Sequence, residues 1–125
     1  MLFRSGLGPG PFALIQPSAG YVEGQNKDIA VEHVFLGMGG LGKLSDAYIE
    51  NYWREMVVGT GAKHVYLIHW DDFTQPLMKK GQLVGLKPMP KLLDDFPRSL
   101  ELLKMFSERD GVTLHVLDAW QMVHF

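Results

Sequence analysis

The sequence predicts one α/β domain whose elements follow the order β-β-α-β-loop-α-β. Short apolar runs bounded by turn residues indicate strands, and two longer stretches with apolar side chains every three or four positions indicate helices. The length of 125 residues suits a single domain. The apolar fraction of 46% and the charged fraction of 21% are ordinary for a folded globular chain.

The N-terminal end divides into a glycine-rich segment and the first two strands. Residues 1–10 end in Gly8-Pro9-Gly10 and carry few apolar side chains, so we expect a non-native or disordered segment without a regular element. The domain is expected to span residues 11–125. Its first strand is predicted from Phe12 to Gln16, between two prolines, and its second from Val31 to Leu36.

The first helix is predicted to begin at Ser45 or Asp46, either of which can cap it, and to end at Gly59 or Gly61. Its apolar side chains recur at helical spacing: Ile49, Tyr52, Trp53 and Met56. The next element, Val65 to Trp70, is apolar on both alternating faces apart from His69. This pattern is typical of a strand in a sheet that is covered on both sides.

The C-terminal part is predicted to contain a long loop, a helix and a strand. Residues 75–90 carry three prolines and two glycines, which favours a loop, and loops of this length often have a function. The second helix is predicted to open at Asp94-Asp95-Phe96-Pro97, with the carboxylates as caps, and to close at Gly111. Residues 112–117 alternate as a final strand.

Composition excludes several classes of function. The formal net charge of -2 provides no field for gripping a phosphate backbone, so nucleic acid is not an expected partner. No apolar run is long enough to span a bilayer and no signal peptide is evident, so no membrane partner and a cytoplasmic location are expected. Without cysteine, any metal ion must be held by histidine nitrogen and carboxylate oxygen.

His69-Trp70-Asp71-Asp72 is the stretch most suited to chemistry. It places an imidazole and two carboxylates at the carboxyl end of a buried strand, where open α/β sheets hold their sites. These groups suit a divalent ion. The alternative is that His69 is a satisfied core histidine and that both aspartates cap the following turn. The histidines elsewhere lack ligand spacing and are expected in packing or at the surface: His33, His64, His115 and His124.

Four segments in this order resemble the C-terminal half of metallo-β-lactamase-fold metallohydrolases, closest to the lactonase-like and RNase Z-like branch. They are residues 34–42 (VFLGMGGLG), 52–55 (YWRE), 68–73 (IHWDDF) and 92–96 (LLDDF). The resemblance runs from about Ala13 to the C-terminus. It implies one half of a four-layer αββα sandwich whose edge holds one or two zinc ions.

The resemblance also implies site residues. His69 matches the last histidine ligand, and Ser18 stands where many relatives carry an aspartate that bridges the metals. Asp71 or Asp72 would compensate as a ligand, and Asp71 is favoured because a strand that continued beyond His69 would return Asp71 to the same side. Asp71 and Asp72 are also the expected catalytic carboxylates. The family's His-x-His-x-Asp-His run is absent from these residues. The chain is therefore expected to need a missing N-terminal half, to be inactive alone and to bind zinc weakly.

The expected ligand is a small-molecule substrate, with Gly39, Gly40 and Trp70 lining its pocket; a homo-oligomer is a further possibility. A rival hypothesis is a nucleotide-binding module, because Gly37, Gly39 and Gly42 satisfy G-x-G-x-x-G between a strand and a helix. The helix starts only after Gly42, however, whereas the fingerprint places its third glycine inside it. A non-catalytic α/β domain is the remaining alternative.

Overall fold

The computed structural model describes residues 12–124 together with the backbone of a strand at Leu2–Arg4. Within these residues, seven strands and two α-helices follow one another. They are β1 (Leu2–Arg4), β2 (Phe12–Gln16), β3 (His33–Gly37), α1 (Asp46–Trp53), β4 (His64–Ile68), β5 (Met78–Lys79), β6 (Gln82–Leu83), α2 (Phe96–Asp110) and β7 (Thr113–Val116). The chain is thus of mixed α/β class, as the sequence predicts.

One sheet of five strands, in the order β1-β2-β3-β4-β7, organises the chain. β1 lies antiparallel to β2, whereas β2, β3, β4 and β7 are mutually parallel. The register aligns Leu14 with Val34, Val34 with Val65, and Val65 with Leu114. Because parallel strands end at the same edge, the segments that follow β2, β3 and β4 are brought together.

Both helices pack on one face of this sheet. Val34, Leu36, Val65 and Leu67 belong to the buried core together with side chains from α1 and α2. Trp53 is fully buried, and its indole Nε1 donates to the Asp110 carboxylate over 2.8 Å. This bond joins the end of α1 to the end of α2.

The helix ends follow the capping rules on which the sequence prediction rests. Ser45 caps α1 by accepting the Tyr48 N–H over 3.2 Å, and Asp95 caps α2 by accepting the Arg98 N–H. Gly111, with a φ of 67°, ends α2 in the left-handed conformation. The predicted first helix does extend toward Gly59, but residues 54–58 form a π-helical turn rather than α-helix.

Three local predictions differ from the structure. Leu2–Arg4 pairs with β2, although the sequence predicted no regular element there; Met1 and residues 5–11 lie outside the described residues. β4 ends at Ile68 rather than Trp70, because His69 adopts a φ of 55°. The predicted loop contains the hairpin β5–β6, which turns through two residues with positive φ, Lys80 and Gly81.

The sheet face opposite the helices carries a cluster of stacked rings that we call the imidazole face: His33, Phe35, His64, Tyr66 and His115. Nδ1 of His64 lies 3.2 Å from Nε2 of His115 on the neighbouring strand. The His33 ring stacks on His64 at a centroid distance of 5.2 Å. Three histidine rings therefore share one surface of the sheet.

We expect the free energy of unfolding to fall as the pH drops from 7 to 5. Burial, followed by the charge of His64, lowers the pKa values of His33 and His115 below 6.5 in the folded chain. The unfolded chain then binds protons more readily, so this stability is complete above the unfolded pKa and is lost below it. Denaturant titrations at a series of pH values measure the effect.

His115→Phe is expected to reduce this pH dependence, since phenylalanine preserves ring stacking without titrating. His124→Phe serves as the control, because His124 is exposed near the C-terminus. Equal pH dependence in wild type and His115→Phe would contradict the assignment.

Within the described part of the chain, no helix combines the length and the apolar composition needed to cross a bilayer.

Candidate functional site

His69 lies at the edge of the sheet where β2, β3 and β4 end. It directly follows β4, and its side chain is exposed. Its φ of 55° is a left-handed conformation that residues with a side chain adopt at an energetic cost of about 1–2 kcal/mol. The conformation turns the chain out of the strand direction and presents the ring at the sheet edge.

Gly39, which follows β3, makes room for this ring. A Cβ atom added at Gly39 would lie 2.9 Å from both Cε1 and Nδ1 of His69, closer than real Cβ contacts allow. A larger residue at this position would displace the imidazole. The position of the His69 ring therefore depends on the absence of a side chain at Gly39.

A cavity of about 290 Å³, which we call the His69 cleft, opens in front of the ring. The segments that follow β3 and β4 line the cleft, together with residues that precede α2. The lining residues are Gly39, Gly40, His69, Trp70, Asp71, Phe73, Met89, Leu93 and Asp94. The Trp70 ring is buried and stacks on Phe96 at 5.0 Å. The structure thus brings together five of the predicted site residues: His69, Asp71, Gly39, Gly40 and Trp70.

Asp71 reaches this cleft by a route that differs from the one the sequence suggested. A continued strand would have returned it to the side of His69, but β4 has already ended. Instead, Asp71 forms an isolated antiparallel bridge with Pro88, and the Asp72 N–H donates to the Lys87 carbonyl over 2.7 Å. The 87–88 segment therefore holds Asp71 beside the cleft.

Asp72 instead caps the turn that follows. Its carboxylate accepts bonds from the Thr74 hydroxyl at 2.6 Å, the Thr74 N–H at 3.0 Å and Gln75 Nε2 at 3.2 Å. These bonds, led by that from the Thr74 hydroxyl, hold the Asp72 pKa below its usual value. Asp72 lines a separate cavity with Gln75 and Leu77. The geometry favours the turn-capping interpretation for this residue.

Ser18 follows β2 at the same edge of the sheet, but it does not line the His69 cleft. Its backbone carbonyl accepts the Tyr52 hydroxyl at 3.1 Å, and the same hydroxyl lies 2.9 Å from the Gly37 carbonyl. Burial raises the pKa of Tyr52, which keeps its hydroxyl proton available for these bonds. Tyr52 therefore ties the ends of β2 and β3 to α1.

The glycine-rich segment after β3, residues 37–42, is called the glycine loop below. A carboxylate from a distant part of the chain binds its backbone. Asp94, only 3% exposed, accepts the Gly40 N–H over 3.1 Å and the Gly42 N–H over 3.0 Å. Sequence reasoning assigned Asp94 to a helix cap, a role that Asp95 fills. The adjacent pair of aspartates was the only signal available, and it did not show which of the two turned inward.

This contact bears on the dinucleotide hypothesis. A phosphate in that motif is bound by free backbone N–H groups at the start of a helix. Here the carboxylate of Asp94 already occupies two such groups, and α1 begins only at Asp46, after a 3₁₀ turn at Leu41–Lys43. A pyrophosphate would have to displace a buried carboxylate.

His69 and Asp71 could provide part of a metal site. The residues that the structure describes contain no group of three or more histidine, aspartate or glutamate side chains able to hold an ion. A catalytic zinc needs about three protein ligands. The described residues therefore do not form a complete zinc site.

Comparisons with protein-family models, curated proteins and solved structures find no match for this chain.

Proposed function

We propose that this chain is the second αβ half of a metal-dependent hydrolase, with His69 as one ligand of a metal ion held mainly by the other half. The supporting observation is the exposed imidazole at the carboxyl ends of parallel strands, facing a cleft that Asp71 also lines. Open α/β sheets hold their ligands at this position.

The local backbone supports a functional role for His69. A histidine that served only to fill space would have no need of a left-handed φ, an exposed ring and a facing glycine. Unfavourable backbone conformations persist where the surrounding structure enforces them, and they cluster at functional sites. The ring is held open to the cleft instead of being packed into the core.

The proposed reaction is the attack of water on an ester, lactone, amide or phosphodiester. A bound divalent ion makes hydroxide available near neutral pH by lowering the pKa of water to about 7. From this chain, His69 would donate a ring nitrogen, and Asp71 would orient that ring or hold a proton. The remaining ligands would come from the missing half that the family resemblance implies.

The proposal is tested by reading the coding sequence upstream in the same frame and expressing the joined protein. We expect a His-x-His-x-Asp-His run and zinc-dependent hydrolysis of model esters or lactones. His69→Ala should lower kcat/KM at least about 100-fold and reduce bound zinc, because loss of a direct ligand exceeds the effect of losing an outer partner. Zinc content and thermal unfolding are measured on the same samples.

Two further variants sharpen this test. Gly39→Ala should reduce activity in the same direction, since its Cβ would lie 2.9 Å from two atoms of the His69 ring and displace the ring. His124→Ala changes an exposed histidine outside the cleft and should leave activity and zinc content unchanged. An upstream sequence without the histidine run, or full activity in folded His69→Ala, would favour a non-catalytic α/β domain.

A further inference from the structure

His64 and His115 lie side by side on the imidazole face, away from the His69 cleft. His64 opens β4, whereas His69 follows the other end of the same strand. β7, which carries His115, is the last strand of the sheet in the part of the chain that the structure describes. Both residues are partly exposed. A small ion can therefore reach this pair from solvent without entering the His69 cleft.

The two rings face each other through nitrogen atoms, with Nδ1 of His64 lying 3.2 Å from Nε2 of His115. Bonds from zinc to histidine nitrogen are about 2.0–2.1 Å long, so two nitrogens on one tetrahedral ion lie about 3.3 Å apart. Adjacent nitrogens on a square-planar ion would lie about 2.9 Å apart at the same bond length. The observed separation falls between these values, so one ion can bind both nitrogens.

Neighbouring aromatic rings support both imidazoles. The His64 ring stacks on His33 at a centroid distance of 5.2 Å, and the His115 ring stacks on Tyr66 at 4.5 Å. A turn of each imidazole within its own plane aims its nitrogen at an ion and keeps the ring against its neighbour. The rings are thus held near the bound arrangement before the ion arrives, which lowers the cost of ordering them.

The hydrogen bond between the two rings can give way to a metal ion. In that bond one of the facing nitrogens carries the proton and the other accepts it. When an ion binds, the proton moves through solvent to the other nitrogen of the same ring, and the ion loses one water for each nitrogen that it gains. Burial, followed by the charge of His64, lowers the pKa of His115, which favours the neutral ring that a metal requires.

We infer that His64 and His115 form a two-imidazole site for a divalent transition-metal ion, with copper(II) bound most tightly. The described residues offer no group of three or more ligands, so water completes the coordination. The affinity of nitrogen ligands peaks at copper(II), whereas magnesium prefers oxygen. The ion joins β4 to β7. The site is independent of the proposed function, since neither histidine lines the His69 cleft.

Copper(II) titrations of the full chain, followed by calorimetry and electron paramagnetic resonance, test this site. We expect one tight site per chain, with coupling to two nitrogen nuclei and no competition from magnesium. His64→Phe and His115→Phe should each weaken the tight site at least about tenfold, because even the loss of an outer partner of a ligand costs about 10–100-fold. Both variants keep a ring in the stack, and circular dichroism checks that they fold.

His124→Phe is the matched control, since His124 is exposed and lies outside the imidazole face. Its copper affinity should differ from that of wild type by less than about twofold. His69→Ala separates this site from the His69 cleft and should retain the tight ion. Loss of the tight ion in His69→Ala, or equal affinity in wild type and both phenylalanine variants of the pair, would overturn the inference.

Copper should also stabilise the folded chain, because the two strands are adjacent only when the chain is folded. At a free concentration of about a hundred times the Kd, the equilibrium constant for unfolding should fall by up to about a hundredfold. The decrease should be lost in His115→Phe. Denaturant titrations with and without copper measure it, and a wild-type chain that copper does not stabilise would contradict a site built by the fold.

Discussion

Gly42→Ala is expected to lower the free energy of unfolding by at least about 3 kcal/mol, near the upper end of the usual effect of adding a buried methyl group. A Cβ atom at Gly42 would lie 2.1 Å from the carbonyl oxygen of Asp95 and 2.4 Å from its carbonyl carbon. Both atoms belong to the backbone at the start of α2, so no side-chain rotation relieves the overlap. The glycine loop and α2 would have to separate.

The separation would also disturb the contacts that surround this point. Arg98 donates to the carbonyl oxygens of Gly42 and Leu44 at 2.8 and 2.9 Å, and these bonds join α2 to the glycine loop. For a chain of this size, we expect the melting temperature to fall by about 10 °C or more. Thermal and denaturant unfolding measure the change.

Gly85→Ala is the control for the Gly42 prediction. A Cβ atom there would lie 3.8 Å from the Asp118 carboxylate, an ordinary contact distance. The free energy of unfolding should change by less than about 1 kcal/mol. If Gly42→Ala and Gly85→Ala unfold at the same temperature as wild type, Gly42 does not lie as close to the start of α2 as described.

The elements that the sequence predicted best are those determined by neighbouring residues. β2 lies between Pro11 and Pro17 with the predicted bounds, and α2 begins after its predicted aspartate cap and ends before Gly111. Prolines, caps and left-handed glycines act within a few positions of themselves. Their signals are therefore visible in the sequence without knowledge of the fold.

The strands that the sequence did not predict form by pairing with another strand. Leu2–Arg4 becomes a strand by pairing with β2, and the composition of this glycine-rich end gives little sign of it. β5 and β6 are two residues each, too short for an alternating pattern to be recognised. Strand formation in both places follows from backbone pairing rather than from side-chain periodicity.

The same distinction applies to the candidate site. The composition of His69-Trp70-Asp71 indicated a site at a strand end, and His69 and Asp71 do line one cleft. The His69 ring packs against Gly39, which is 30 positions away in the sequence. The residues next to His69 or Gly39 contain no pattern that predicts this contact. Asp94 bonds to glycines more than 50 positions away. Such contacts require the fold itself.

Asp94→Ala is expected to destabilise the chain by about 3 kcal/mol, because it leaves two N–H groups in the glycine loop without their charged acceptor. The Gly42 N–H is buried, so water does not readily replace the carboxylate. Hydrogen exchange at the Gly40 and Gly42 amides should quicken in the variant. Denaturant titration gives the accompanying loss of stability.

Asp95→Ala is the matched comparison for Asp94→Ala. Asp95 caps α2 through a 3.4 Å bond and pairs with the exposed Lys91, so its loss should cost only about 1 kcal/mol. Acetate offers a second readout, since a small carboxylate fits the chemistry of the vacated N–H groups. Added acetate should raise the free energy of unfolding of Asp94→Ala more than that of wild type or Asp95→Ala. Equal losses in the two aspartate variants, with no response to acetate, would show that the Asp94 carboxylate does not hold the glycine loop.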